Sequence, residues 1–257
     1  MYICNPAICK CVKLLNCEFP KDRNAFVMHG FGFDTINGEF KVVVILLWVS
    51  DHALQSKAQV YTLGSNSWRT VSNAPKMLFL QGCSAFVNGS LHWLTRDDQV
   101  EDGSMIIVSF NLSSEEFGVI PCPKFNCITI MRSFTSESST QLVELGGCLS
   151  VVEASFGNHI EIWIMKEYNV KESWTRFSVS KSYLVRMKSK RVKAVSFRKN
   201  SEIILLCDSS TLVSYNTETG NFTTLEVDGL NNNLADFPKY VGHAFSYAES
   251  LILPKSA

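Results

Sequence analysis

The sequence predicts an all-β chain built from repeated four-stranded sheets, a β-propeller, on three observations. A turn dipeptide followed by an apolar run recurs along the chain. A second motif, a short strand, a polar turn and an aromatic that opens another strand, recurs between those copies. Helical signals are almost absent, with no sustained 3.6-residue period and no capping box leading into an apolar stripe. One copy of each motif supplies about four strands every ~50 residues. Radial repetition of four-stranded sheets is the way a propeller limits its exposed edges.

Taken in order, the first element is a tail motif, Cys4-Asn-Pro-Ala-Ile-Cys-Lys-Cys11-Val-Lys-Leu14, with Cys11 where later copies carry an aromatic. A head motif follows, Asn37-Gly38 before Phe40-Lys-Val-Val-Val-Ile45, then a tail from Val60 through Trp68 to Val71. The next head is Asn88-Gly89 before Leu91-His-Trp-Leu94, and its tail runs from Val108 through Phe117 to Ile120. Gly146-Gly147 before Cys148–Val152 is followed by a longer tail, Ile162–Met165 through Trp174 to Phe177. Lys199-Asn200 before Ile203–Cys207 leads to the tail Val213–Leu225 with Phe222. A last head is Ala248-Glu-Ser250 before Leu251-Ile-Leu253. Gly and Asn tolerate the positive φ of tight hairpins, and β-branched and aromatic residues suit a pleated, half-buried surface. Key positions 11, 68, 117, 174 and 222 fall 48 to 57 residues apart. The series Trp68, Trp93, Phe117, Trp163, Trp174 and Phe222 follows the repeat and reads as packing between sheets, in preference to a sugar-binding platform.

The chain reads as one domain over residues 1–257. Its first tail has no head before it and its last head has no tail after it. Pairing of Leu251–Leu253 with the sheet of Tyr2–Leu14 would close a ring of five blades; otherwise one blade is incomplete.

Composition bounds the function. The 257 residues carry 24 Lys+Arg and 24 Asp+Glu, and 46% are apolar, which excludes a disordered chain and a generally basic nucleic-acid binder. The longest apolar run, Val42–Val49, is far short of a membrane-spanning helix, so neither a nucleic-acid nor a membrane partner is expected. Met1-Tyr-Ile-Cys-Asn-Pro6 lacks the start of a secretory signal, which places the chain in the cytoplasm and/or nucleus, with its nine cysteines reduced. The spacing of Cys4, Cys9, Cys11 and Cys17 does not fit zinc.

The five histidines are scattered, and His92 and His243 lie inside apolar segments as strand residues do. No nucleophile elbow, zinc-protease helix or phosphate loop is present. Gly30-Phe-Gly32 lacks the third glycine of a dinucleotide fingerprint and reads as a strand that lets neighbours pack closely. The expectation is therefore no catalytic, cofactor-binding or metal-binding residues and no cofactor. Three exposed connections are the candidate partner contacts: Ser133–Gln141 with Ser136 and Ser138, the basic run Arg186–Lys193 with Lys188, Lys190 and Arg191, and Asn231–Asp236 with Asn232. The basic run reads as a solvated loop leading into a strand over Val192–Phe197, with a nuclear-import signal or a contact with an acidic partner as the alternatives.

Several stretches together resemble a known family. Asn5-Pro6-Ala7, Gly30-Phe-Gly-Phe-Asp34, Val60-Tyr61 with Ser67-Trp-Arg69, Val87-Asn-Gly-Ser-Leu-His-Trp93 and Ile107–Asn111 with Phe117–Pro121 look like the plant F-box-associated interaction domain. This is the kelch-like propeller of many plant F-box proteins. The resemblance covers Tyr2 to Leu253; only Gly146-Gly147 matches the glycine pair of true kelch repeats, so the looser associated type fits better. It implies a non-catalytic module that recruits a target protein to an SCF-type ubiquitin ligase. A Skp-type adaptor and cullin would be partners only if an F-box is supplied upstream, since none is read before Asn5-Pro6. The alternatives are a stand-alone propeller binding a small ligand or carbohydrate, as lectin or enzyme, and a truncated remnant without ligase coupling.

Overall fold

Apolar runs separated by tight turns satisfy their backbone groups most directly by pairing with the next run along the chain, and that is how this protein folds. The computed structural model describes residues 1–15, 17, 25–76, 84–96, 105–123, 140–154, 158–186, 192–198, 201–208 and 211–226. An N-terminal ribbon pairs β1 (Tyr2–Asn5) with β2 (Lys10–Lys13). Sheet one comprises β3 (Phe26–Asp34), β4 (Glu39–Ser50), β5 (Ala53–Thr62) and β6 (Trp68–Val71). Sheet two comprises β7 (Ala85–Val87), β8 (Ser90–Arg96), β9 (Met105–Asn111) and β10 (Phe117–Ile120). Sheet three comprises β11 (Thr140–Leu145), β12 (Cys148–Glu153), β13 (His159–Met165) and β14 (Trp174–Ser180). After a short helix α1 (Ser182–Arg186), sheet four comprises β15 (Val192–Arg198), β16 (Glu202–Cys207), β17 (Thr211–Asn216) and β18 (Phe222–Leu225). Each four-stranded sheet is an antiparallel meander in chain order. The described residues form two compact units, one holding the ribbon with sheets one and two, the other sheets three and four.

The head motifs at Asn37-Gly38, Asn88-Gly89 and Gly146-Gly147 are the first hairpins of sheets one, two and three. Asn88 and Gly89 (φ 49° and 71°) and Gly146 and Gly147 (φ 62° and 81°) both place two successive residues at positive φ, the tight hairpin that matches strand twist. The tail motifs are the last hairpins, and one geometry recurs in them. Cys9, Asn66, Glu115 and Gly220 are left-handed (φ 51°, 57°, 59° and 71°), each four residues past the end of its strand at Asn5, Thr62, Asn111 or Asn216. Asn111 Oδ1 accepts from the Ser113 and Ser114 amides, and Asn216 Oδ1 from those of Glu218 and Thr219. Such Asx caps explain why Asn closes these strands.

The aromatic that marks each tail stands first in the last strand and pairs across the hairpin. Tyr61 faces Trp68, Phe110 faces Phe117 and Tyr215 faces Phe222, with ring centroids 5.3, 4.8 and 4.7 Å apart. Met165 faces Trp174 in the same register. On the ribbon this position holds Cys4 opposite Cys11, with Cα atoms 4.0 Å apart and the sulfurs joined. The expectation that every cysteine stays reduced is corrected here. Strand register brings these two thiols together, which the spacing test for zinc could not reveal. Among the described residues Cys9, Cys17 and Cys148 stand outside this bond.

Packing uses both faces of β4. Val43, Ile45 and Leu47 join Leu91, Trp93, Phe110 and Leu112 in a core between sheets one and two. Val42, Val44 and Leu46 pack with Tyr61, Leu14 and Cys17 on the ribbon side. Trp68 Nε1 donates to the Leu15 carbonyl at 2.8 Å, which ties the chain leaving the ribbon to sheet one. Sheets three and four share a core of Ile160, Ile162, Val179, Leu184, Ile203 and Leu205, among others. Thr140 and Gln141, read from composition as the end of an exposed connection, instead open β11. Thr140 is buried, and the Gln141 amide bonds both the N–H and the C=O of Ala194 (2.9 and 2.7 Å) beside a register shift in β15. The anticipated pairing of Leu251–Leu253 with the first strand lies outside the described residues.

Candidate functional site

The motif Gly30-Phe-Gly-Phe-Asp34 builds a junction between sheets. A Cβ on Gly30 would stand 2.6 Å from Ser84 Oγ, and one on Gly32 would stand 2.6 Å from Phe86 Cδ2 and 2.8 Å from Leu112 Cδ1. Only hydrogen fits at these contacts, so β3 runs directly against sheet two. Asp34, fully buried, accepts from Lys41 Nζ (2.8 Å), Ser113 Oγ (2.5 Å), Asn37 Nδ2 (2.8 Å) and the amides of Ile36 and Asn37. Lys41 Nζ also donates to the Leu112 carbonyl (2.7 Å) and to Glu115 Oε1 (2.9 Å), and Arg69 pairs with the same carboxylate. Burial pushes Asp34 upward, but the hydrogen bonds from Lys41, Ser113 and Asn37 outweigh it and hold the carboxyl well below the usual range. Burial likewise works against charge on Lys41 and Glu115, yet their partners leave Lys41 raised and Glu115 lowered. Every charge is matched, which is the signature of a structural clamp.

His92 is a satisfied strand residue. It is fully buried, its Nδ1 donates to the Ala85 carbonyl at 3.3 Å, and burial lowers its pKa to about 4. Among the described residues no group of three or more His, Cys, Asp or Glu could hold a metal ion. No helix among them is long and apolar enough to cross a membrane.

A cleft of about 540 Å³ opens in the second unit, with His159, Ser178, Ser180, Tyr183, Asn221 and Phe222 among the residues that line it. Its aromatic floor is ordered: Tyr183 stacks on Phe222 with centroids 5.0 Å apart and planes 3° from parallel, and the Tyr183 hydroxyl meets Thr224 Oγ1 at 3.1 Å. The short helix α1 supplies Tyr183, half-buried at the edge of the core, and Leu184, buried within it. Strand alternation supplies the polar wall. Ile160, Ile162 and Val179 point into the core, so His159, Glu161, Trp163, Arg176, Ser178 and Ser180 share the opposite face of β13 and β14. On that face Arg176 Nε donates to Glu161 Oε2 (2.6 Å), Ser178 Oγ donates to Glu161 Oε1 (2.8 Å), and the Arg176 guanidinium lies 5.7 Å from the Trp163 ring centre. The hydrogen bond from Arg176 holds Glu161 below the ordinary carboxylate range. The proton of Ser178 is thus committed to a clamped carboxylate, and the cleft offers hydroxyls, an amide and an aromatic face for binding.

The sequence-predicted contact residues Ser136, Ser138, Lys188, Lys190, Arg191 and Asn232 lie outside the described residues. So does His243. The cleft was not anticipated. Its polar wall is written in the period-two alternation of His159-Ile-Glu-Ile-Trp163 and Arg176-Phe-Ser-Val-Ser180. The meeting of that wall with Tyr183 and Phe222 has no local signal.

The sequence profile of the F-box associated beta propeller domain matches residues 1–248. The F-box protein At3g07870 of Arabidopsis thaliana is 31% identical over 270 aligned residues, covering 90% of this chain and 62% of that protein. The F-box protein CPR1 of the same plant is 24% identical, covering 79% of this chain and 52% of that protein. The chain thus spans roughly half to three-fifths of the length of these relatives. Among solved structures, the β-propeller domain of the trilobed protease from Pyrococcus furiosus aligns with a TM-score of 0.43 and 11% identity, over 79% of this chain and 57% of that one. With the match running through the ribbon and all four sheets, the chain belongs to the F-box associated β-propeller domain family.

Proposed function

We propose that this chain is the target-recruiting part of an SCF-type ubiquitin-ligase receptor, a non-catalytic interaction module acting in the cytoplasm and/or nucleus. The observation that carries the reading is family membership over residues 1–248. The naming of its relatives as F-box proteins supports it further. On this reading residues 1–257 act as one propeller domain, and a Skp-type adaptor and cullin are engaged only where an F-box precedes it. The cleft between Ser180 and Phe222 forms part of the target surface. Its lining favours noncovalent recognition, with hydrogen-bonding groups around an aromatic pair and the one carboxylate bonded to its wall already neutralised by Arg176. The connections carrying Ser136, Ser138, Lys188, Lys190, Arg191 and Asn232 are the further proposed contacts.

The test is quantitative affinity purification of the natural protein from plant cells with the proteasome inhibited, beside Ser180→Arg. Ser180 is exposed, so the arginine fills the cleft without disturbing the core. Recovery of a defined target should fall about tenfold or more, as expected when a central contact worth at least ~1.4 kcal/mol is lost. A co-purifying set indifferent to the variant, or turnover of a carbohydrate by the purified chain, would contradict the proposal.

A further inference from the structure

Cys4 and Cys11 occupy a position that rings occupy elsewhere. The step from Cys4 to Cys11 is seven residues, as it is from Tyr61 to Trp68, Phe110 to Phe117 and Tyr215 to Phe222. The hairpins agree in hydrogen bonding too. Asn111 N donates to the Glu116 carbonyl and Asn216 N to that of Asn221, which makes the pair one step further out a close, non-hydrogen-bonded pair. On the ribbon, Leu14 N donates to the Met1 carbonyl, and the alternation from there puts Cys4 and Cys11 in the same kind of pair. In the sheets the ring pair is pressed against the element before it in the chain: Phe110 and Phe117 against sheet one, Tyr215 and Phe222 against sheet three. On the ribbon, Ile3 and Leu14 turn to sheet one, while Cys4 and Cys11 point the other way and are exposed. Among the described residues the ribbon consists of two four-residue strands, so a link between them adds to how firmly it holds.

We propose that Cys4 and Cys11 are a reversible thiol modification site, oxidised and reduced by a small organic disulfide and its thiol, of which glutathione is the probe. The thiolate of one cysteine attacks a sulfur of glutathione disulfide, breaking that S–S bond and releasing one glutathione thiolate. The facing cysteine's thiolate then attacks the protein-bound sulfur, forming the Cys4–Cys11 bond and expelling the second glutathione. Two protein thiols lose two electrons and two protons; one glutathione disulfide gains them as two thiols. Exposure makes both sulfurs accessible to exchange, and register makes the second step intramolecular. Cys9 is a bystander, its Sγ turned to the Pro6 carbonyl at 3.7 Å. Cys17 is buried and its thiol pushed up by that burial, so it stays protonated.

The full chain is equilibrated in glutathione buffers from cytosol-like to endoplasmic-reticulum-like poise, alkylated and mapped by mass spectrometry, with amide exchange followed at residues 1–15. The Cys4–Cys11 bond should pass from mostly open to mostly closed within that range. Closing it should slow exchange in the ribbon on the order of tens-fold and leave sheets three and four unchanged. Cys9→Ser should switch as the natural chain does, and the double variant Cys4→Ser with Cys11→Ser should hold the fast-exchanging ribbon at every poise. A bond that stays closed or stays open throughout, a ribbon whose exchange ignores it, or switching lost in Cys9→Ser would each overturn the assignment.

Discussion

At Gly32 the absence of a side chain is a packing requirement, since β3 has ordinary strand geometry there and the nearest atoms belong to Phe86 and Leu112. Gly32→Ala should destabilise the chain by about 2 kcal/mol through overpacking, read as a lower chemical-denaturation midpoint at unchanged slope. His92 makes a prediction in pH. Its folded pKa of about 4 lies below the ordinary 6.5, so the unfolded chain binds its proton first as the medium is acidified. The stability this residue contributes is complete above pH 6.5 and is lost as pH falls from 6.5 towards 4, by up to roughly 3 kcal/mol. His92→Gln should flatten that part of the stability profile, measured by denaturant titration at successive pH values. Both residues stand in motifs visible in the sequence. The Gly-x-Gly alternation and the apolar neighbours of His92 betray their burial, whereas the atoms that crowd Gly32 come from strands far along the chain.

The hairpin is the unit at which the repeat is physically enforced. A strand-ending polar residue, a left-handed residue four positions later and a ring six positions later fix turn, register and facing pair together, and this is why the spacing is legible in the sequence. What the spacing does not disclose is the use made of a turn. Glu115, held left-handed, brings its carboxylate to Lys41 and Arg69 of the preceding sheet, and no local signal links these residues. Lys41→Met should cost about 3 kcal/mol, because Asp34 is left buried without its cation. Pairing it with Asp34→Asn should return part of the loss, and a double-mutant cycle in thermal melts measures the coupling. Asp34 also sets an acid limit. Its folded pKa lies below the ordinary 3.8, so its contribution is full above that value and is lost as the pH drops below it.

For the whole molecule, the repeat, the all-β class and the family were legible because each rests on periodic local chemistry. The cleft and the thiol pair were not, since both depend on which residues face one another across strands. Composition pointed to connections as the partner surface, while the proposed function adds a second place, the polar face of β13 and β14 beside the stacked Tyr183 and Phe222. The central claim is that the chain holds another protein and does not transform it. Its most direct test is titration calorimetry of the purified natural protein with the target recovered from cells, followed by mass analysis of both components. The account predicts saturable one-to-one binding that Ser180→Arg weakens and a target of unchanged mass; absence of binding, or a target consumed during the titration, would contradict it.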